Sequence, residues 1–515
     1  MSDILTTAPV WICVATGLLV MVLDLLSGRD AAKGFLGFVT AAGLTVAGVV
    51  AVIAWPSAPA LEAPYLAGLI RFDAWTAFFG VLALFSAAAA ALVSVRYLPG
   101  QACDDGEHSA LLALSASGAL VLVAALDLIV LFLGLEIMSL AVYVLAAGKR
   151  SSPCSAEAGM KYFVLGGVAS AFLLFGAAFL YGATGSLRFS DVASHFVHDV
   201  PSWDRALVTA AFVLVSVGLA FKVAAAPFHA WTPDVYEGAP THAVVYMAGA
   251  IKAAAFAVLA RVLFATFGAP GVLSGPLGLP ELLLGLAVAS MLIGNVLGIV
   301  QTNVKRILAY SSIAHAGYVL LGLWSAAAAS PGVDLPASVP FYLLSYVAAT
   351  VGAFAIVAQL GADGNEDLSL DRLSGLGRRR PVLAALLLVC LLSLAGVPPL
   401  AGFAGKFLLF GDVLAAGDAG GEHLAWVLFA VGNSLVALYY YLRIVVYLYF
   451  REPEAEPAPV LGGLSGGFAA TVAVLVVLWA GMAPGLALKA SAAASAHLIP
   501  PAEVAAADRA PTAGR

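Results

Sequence analysis

The sequence predicts an all-α, polytopic membrane protein, and three observations carry that expectation. Hydrophobic residues make up 62% of the 515 and charged residues only 10%, where soluble domains carry about 25% charged residues. Apolar runs of about 20 residues, the length that crosses a bilayer, recur along the chain. Lysine and arginine collect in alternate connections between those runs, as a correct span count requires.

Bounded by charges, proline or glycine, the runs fall at 8–26, 34–55, 72–95, 109–126, 128–147, 158–182, 205–230, 241–266, 279–300, 303–326, 338–361, 381–413, 423–450 and 463–487. That makes about fourteen transmembrane helices. The stretch 109–147 is too long for one span even with tilt, and it divides at Leu126-Asp127-Leu128. The first run lacks a basic leader segment and reads as a retained helix. The Ala-rich tail, 488–515, contains three prolines and is expected to be loose.

With the N-terminus outside, thirteen basic residues of the connections fall on the cytoplasmic side and six on the other. The thirteen include Lys149, Arg150, Lys161, Lys305 and Arg306, and topology alone accounts for the last two. Both termini are therefore expected on the outer, periplasmic side.

The net charge of -6 comes without a long basic run, so no nucleic-acid partner is implied. The four cysteines are dispersed, with no CxxC pair to hold zinc or an iron–sulfur cluster. No glycine cluster follows a strand in a βαβ unit, so the chain is expected to bind no NADH, flavin or metal itself.

Two spans carry internal breakers. The seventh contains Pro227 just after Lys222, and the twelfth contains Gly396-Val-Pro-Pro399 ahead of Lys406. Interrupted segments at corresponding places point to an inverted repeat whose broken helices line an ion site. The expected organisation is three N-terminal spans (1–108), a five-helix unit (109–266), its inverted counterpart (279–450), a fourteenth helix (463–487) and the tail.

Four ionisable residues fall where no interface is at hand: Glu136, Lys222, Lys252 and Lys406. Lys252 lies about 11 residues into its span, roughly 17 Å, near the centre of a hydrocarbon core about 30 Å thick. Charges at such depths mark ion or proton routes. A carboxylate moved toward or away from such a lysine switches it between holding and releasing a proton. In this reading Glu136 and Lys222 load, Lys252 relays and Lys406 passes the proton on. His229 in PFHAW and His315 in SSIAHAGY are possible relays. Asp234 and Glu237 are expected to hold the loop before the eighth span, and Asp127 to sit at an interface.

The segment FKVAAAPFHAWTPDVYEGAPT resembles the N chains of bacterial proton-translocating NADH:quinone oxidoreductase, respiratory complex I, the counterparts of mitochondrial chain 2. LGLEIMSL around Glu136, GNVLGIVQTNVKRILAYSSIAHAGY, and SLAGVPPLAGFAGKF around Lys406 agree with it. The TPDVYEGAP wording differs from the LPDA type of the related L and M chains. The M chain carries a glutamate where Lys406 stands, and no long lateral helix of the L type follows the last span. The likeness covers spans 4–13; the others agree mainly in hydropathy and length.

The resemblance implies an antiporter-like subunit with inverted five-helix repeats and broken helices 7 and 12, in which Glu136, Lys222, Lys252 and Lys406 carry the proton path. It implies NADH, flavin, iron–sulfur clusters and quinone on partner subunits. Expected neighbours are the M and K chains in a bacterial inner membrane. The competing reading is an Mrp-type or stand-alone cation/proton antiporter subunit.

Overall fold

The computed structural model describes residues 2–28, 33–54, 68–101, 103, 105–195, 202–268, 278–329, 335–361, 368–417, 421–452 and 463–498. Their helices are α1 (Ser2–Leu26), α2 (Phe35–Ala54), α3 (Ala74–Gln101), α4 (Asp105–Ala124), α5 (Leu128–Ala146), α6 (Pro153–Thr184), α7 (Phe189–His195), α8 (Ser202–Val223), α9 (Trp231–Gly238) and α10 (Thr241–Tyr246). There follow α11 (Lys252–Thr266), α12 (Leu279–Val300), α13 (Val304–Ala328), α14 (Ser338–Leu360), α15 (Leu376–Arg379), α16 (Pro381–Ala395), α17 (Ala401–Ala415), α18 (Glu422–Tyr449), α19 (Leu464–Met482) and α20 (Gly485–Ser495). A π-helical turn, Met247–Ile251, joins α10 to α11 in one rod. Among the described residues, thirteen helices are long and apolar enough to cross a membrane, that rod included. The predicted run 381–413 is divided between α16 and α17.

Helix starts follow from side chains that satisfy the orphan N–H groups of a first turn. Asp127 accepts from the Ile129 and Val130 amides at 2.7 and 3.4 Å, so the polar step in 109–147 is the N-cap of α5. Asn303 accepts from the Lys305 and Arg306 amides at the start of α13, and Ser152 from the Ser155 amide at the start of α6.

Lipid offers no hydrophobic drive between helices, so contact depends on small residues that let backbones approach. A Cβ on Gly118 of α4 would lie 2.4 Å from the Met138 amide nitrogen of α5, and one on Gly134 of α5 would lie 2.5 Å from that of Leu122. The rod 241–266, α13 and α14 are buried along nearly their whole length, and α3 packs against the rod and α14. The outer faces of α1, α2, α6 and α18 present Trp11, Ile53, Phe175 and Leu428 to the surroundings.

Residues assigned to the same side of the membrane meet one another. Arg150 pairs with Glu107 at 2.8 Å, Lys161 and Arg306 both reach Asp234, and Arg443 donates to the carbonyls of Ile299 and Gln301. At the other end the backbones of Asp127 and Arg188 pair in an isolated antiparallel β-bridge.

Three expectations need correction. The tail is not loose from its start: α20 packs Ala487, Ser491 and Ala494 inward against α3 and α14, while 499–515 lie outside the described residues. The short helices α7 and α9 occupy stretches read as connections, and 224–230, read as the end of the seventh span, is not helical. Lys305, which topology alone was to explain, is fully buried.

Candidate functional site: lysines on interrupted helices

Helix α8 stops one residue after Lys222, and the manner of its ending builds the site. Ala224 takes a left-handed φ of 57°. Its amide bonds back to the Phe221 carbonyl at 3.0 Å, and the Ala225 amide to the Ala220 carbonyl at 2.9 Å. These two bonds make a Schellman motif, normally closed by glycine. Residues 224–230 are then non-helical until α9 begins at Trp231.

The ending leaves carbonyls to satisfy in the middle of an apolar body. The Trp231 indole donates to the Phe221 carbonyl at 3.0 Å, and the Lys252 ammonium donates to the Val223 carbonyl at 2.6 Å. A cation suits this place because the C-terminal end of a helix carries partial negative charge. Lys252 directly follows the π-helical turn, a feature that re-phases a helix and recurs at functional sites.

The same construction occurs between α16 and α17. Gly396 has φ 89°, its amide bonds to the Ser393 carbonyl at 3.0 Å, and the Val397 amide bonds to the Leu392 carbonyl at 3.0 Å. Lys406 donates to the Leu394 and Ala395 carbonyls at 3.0 and 3.1 Å and to the Ser434 hydroxyl at 2.8 Å. Its Nζ also lies 5.3 Å from the Tyr318 ring centre.

Lys222 is 2% exposed and turns away from the helix end. Its ammonium donates to the Ser139 hydroxyl at 2.7 Å and sits 5.5 and 5.1 Å from the ring centres of Tyr143 and Tyr162. Ring faces stabilise a desolvated cation. Glu136, half-buried, does not touch it: the carboxylate accepts from Ser170 of α6 at 2.5 Å. Glu136 and Ser139 are neighbours one turn apart on α5, so the hydroxyl that Lys222 meets is on the same helix face as the acid.

His315 lies in the field of Lys406 and Lys252. Its Nδ1 meets the Tyr342 hydroxyl at 2.6 Å and its Nε2 the Tyr441 hydroxyl at 3.2 Å. Ser311 bonds the Tyr441 hydroxyl in turn. Nearby, Tyr440 donates to Asn295 at 3.0 Å, and Asn295 reaches Tyr318 and Asn433. These polar groups occupy the interior between the two interrupted helices. His229 stands apart from them, half-buried in the segment 224–230, its Nδ1 without a hydrogen-bond partner among the described residues.

Three buried cations escaped the sequence reading: Lys305, Arg261 and Arg71, the last 3.6 Å from Asp73. Lys305 donates to the Ala239 carbonyl at 2.8 Å and the Thr241 hydroxyl at 3.3 Å, holding the turn between α9 and α10. Arg261, 1% exposed, pairs with Asp73 at 2.6 Å and donates to the Val123 carbonyl at 2.9 Å. Outside the spans, Lys161 and Arg306 clamp Asp234. Burial alone would raise that carboxyl, but the two hydrogen bonds outweigh it and hold Asp234 below the usual carboxylate range. Among the described residues no cluster of three or more His, Cys, Asp or Glu could hold a metal ion.

An all-helical membrane body with buried lysines seated on interrupted helix ends defines the antiporter-like class of membrane proteins. A family described as "NADH:quinone oxidoreductase/Mrp antiporter, TM" matches residues 125–434. NADH-quinone oxidoreductase subunit N 1 of Sorangium cellulosum (strain So ce56) is 46% identical over 437 residues, covering 83% of this chain and 84% of that protein. The chain belongs to the NADH-quinone oxidoreductase subunit N family. Among solved structures, respiratory complex I from Thermus thermophilus with bound aureothin contains a chain that superposes with a TM-score of 0.74 at 36% identity, covering 93% of this chain and 99% of that one. A chain of the Mrp complex from Dietzia sp. DQ12-45-1b reaches 0.80 at 23% identity, covering 96% and 97%, a likeness of fold.

Proposed function

We propose that this chain is the antiporter-like, proton-translocating membrane subunit of a respiratory NADH:quinone oxidoreductase. Protons move along Glu136, Lys222, Lys252 and Lys406 while quinone is reduced on other subunits. The observation that carries this reading is the repeated seat, in which a lysine ammonium closes the freed carbonyls of each interrupted helix. When such a lysine gives up its proton, its carbonyls lose their counter-charge. The next proton is then drawn to the same place, and like charges on neighbouring lysines repel in a low dielectric. Arrival at one site thereby favours release from the next.

Several finer statements belong to the same reading. Segments 109–266 and 279–450 are the two inverted five-helix units, with broken helices at α8–α9 and α16–α17, flanked by 1–108 and 463–487. The end bearing Lys149, Lys161 and Arg306 faces the cytoplasm of a bacterial inner membrane, and both termini lie outside. NADH, flavin, iron–sulfur clusters and quinone belong to partner subunits, and this chain carries no redox site. The M and K chains are its expected neighbours, and one of them would shield the half-exposed flank of Glu136 from lipid. The competing Mrp-type reading rests on a shared fold, whereas the TPDVYEGAP wording and the subunit N relatives favour the oxidoreductase.

The test is Lys222→Ala and Glu136→Ala in the assembled complex, with quinone reduction and proton uptake measured in inverted vesicles. Both variants are expected to assemble and to lose most of their coupled translocation. Wild-type coupling in assembled Lys222→Ala complexes refutes the assigned path.

A further inference from the structure

A second cluster of titratable groups lies at the Lys149 end of the molecule, outside the lysine chain. His242, two residues into the rod, is 2% exposed, and neither ring nitrogen has a hydrogen-bond partner among the described residues. An imidazole buried in that way is costly unless a proton or a water molecule uses it. His108 of α4 lies against it, ring centres 5.2 Å apart, and Tyr97 of α3 lies at 5.3 Å.

His108 also lines a surface groove of about 480 Å³ together with Glu107, Tyr143, Gly148 and Arg150. The groove walls are mostly apolar, and the Arg150 and Glu107 side chains, 81% and 52% exposed, place a charged pair at its mouth. Gly148 makes the approach possible: a Cβ there would lie 2.1 Å from His108 Nε2.

The inner side of the pair points along the rod toward Lys222. Tyr246 is one turn beyond His242 on the same face, and Ser115 is two turns beyond His108 on α4. The Ser115 hydroxyl is committed to the Met138 carbonyl at 2.8 Å, whereas Tyr143 of α5 lines the same groove as His108. Tyr162 and Tyr143, ring centres 4.9 Å apart, form the aromatic frame around Lys222. The groove that His108 lines therefore ends on an aromatic frame that lies against the first lysine of the chain.

We infer that His108 and His242 form a proton-entry pair that takes protons from the groove and delivers them past the Tyr143 hydroxyl to Lys222. Each neutral imidazole accepts a proton on one nitrogen and releases one from the other. The Tyr143 hydroxyl accepts one and donates one, and neutral Lys222 ends as ammonium, so one proton enters and no charge stays behind. The groups facing the pair are Tyr97 from α3, Glu107 from α4, Tyr143 from α5, Arg150 from the α5–α6 turn and Lys305 from α13. The inference rests on the proton-path reading above.

The test compares the wild-type complex with His108→Gln/His242→Gln, Gly148→Ala and Lys222→Ala in inverted vesicles, measuring coupled translocation from pH 6 to 8.5. Glutamine keeps bulk and hydrogen bonding but not titration. The double variant is expected to fall about fivefold at pH 8, where proton supply limits, and less than about twofold at pH 6. Gly148→Ala keeps both imidazoles but displaces His108, so the same pH-dependent loss is expected. Wild-type pH profiles in both, with Lys222→Ala inactive, overturn the entry pair and leave the lysine path standing. A wild-type profile in Lys222→Ala overturns the path and the pair together. A uniform loss across pH in the histidine variants assigns them a structural role and also overturns the proposal.

Discussion

Lys252 and Val223 are 29 positions apart in the chain, yet the lysine ammonium donates a 2.6 Å hydrogen bond to the valine carbonyl. That contact couples a charge on α11 to the end of α8. Lys252→Met leaves a buried carbonyl without a donor, at a cost of about 1–3 kcal/mol. Amide exchange at 220–226 is expected to quicken in Lys252→Met and to stay close to wild type in Lys252→Arg, while translocation falls in the first. Unchanged exchange in Lys252→Met removes the helix end from the mechanism.

Lys222 answers to a hydroxyl before it answers to an acid. Ser139→Ala deletes its 2.7 Å acceptor and leaves only the ring faces of Tyr143 and Tyr162. A hydrogen bond to a charged group is worth about 1.5–3 kcal/mol, so coupled translocation should drop roughly tenfold. Ser139→Thr, which keeps the hydroxyl, should recover most of it. Equal rates in the alanine and threonine variants would show that the contact carries no function.

Arg261 and Asp73 tie the rod to the start of α3 through a pair only 1% and 3% exposed. Removing one partner strands the other charge, at about 3–5 kcal/mol. Arg261→Met and Asp73→Leu alone should cut the yield of assembled complex sharply. Because Arg71 also reaches Asp73 at 3.6 Å, the variant that should recover most of the loss is the triple one with Arg71→Met, since a buried ionic group replaced by apolar residues is often neutral. Thermal melting of purified complexes reads the difference, and a triple variant as unstable as either single one contradicts the account.

The membrane architecture was legible because bilayer thickness imposes one length on every span and the basic residues tally against alternate connections. Lys252 could be placed by counting along a rod. Lys305 could not, because its burial comes from the α9–α10 turn folding over the start of α13, a contact no count along one helix reveals. Arg261 stands five residues from the end of its run, where a sequence reading sends a long side chain to the interface, but Asp73 waits for it inside. Ser139 and Ser170 gave no signal at all, since a serine beside a buried charge looks like any serine used for helix packing. The helix α20 was lost behind the prolines that follow it, although its alanines favour helix.

Asp234 offers a pH test away from the hydrocarbon. Its carboxyl is held below the usual range because hydrogen bonds from Lys161 and Arg306 outweigh burial. A depressed folded-state value means that the clamp's contribution is fully present above the unfolded value of about 3.9 and is lost as pH falls through the lower folded one. Between pH 5 and 8 the clamp should therefore be constant. The side chain is 37% exposed, so solvent screening keeps the contribution of the clamp below about 1 kcal/mol. Asp234→Asn at pH 7 should quicken amide exchange in 231–238 by no more than about fivefold. The wild-type protein should show the same loosening only below about pH 4. Loosening of the wild-type segment between pH 5 and 7 would mean that another group, not Asp234, sets the hold on α9.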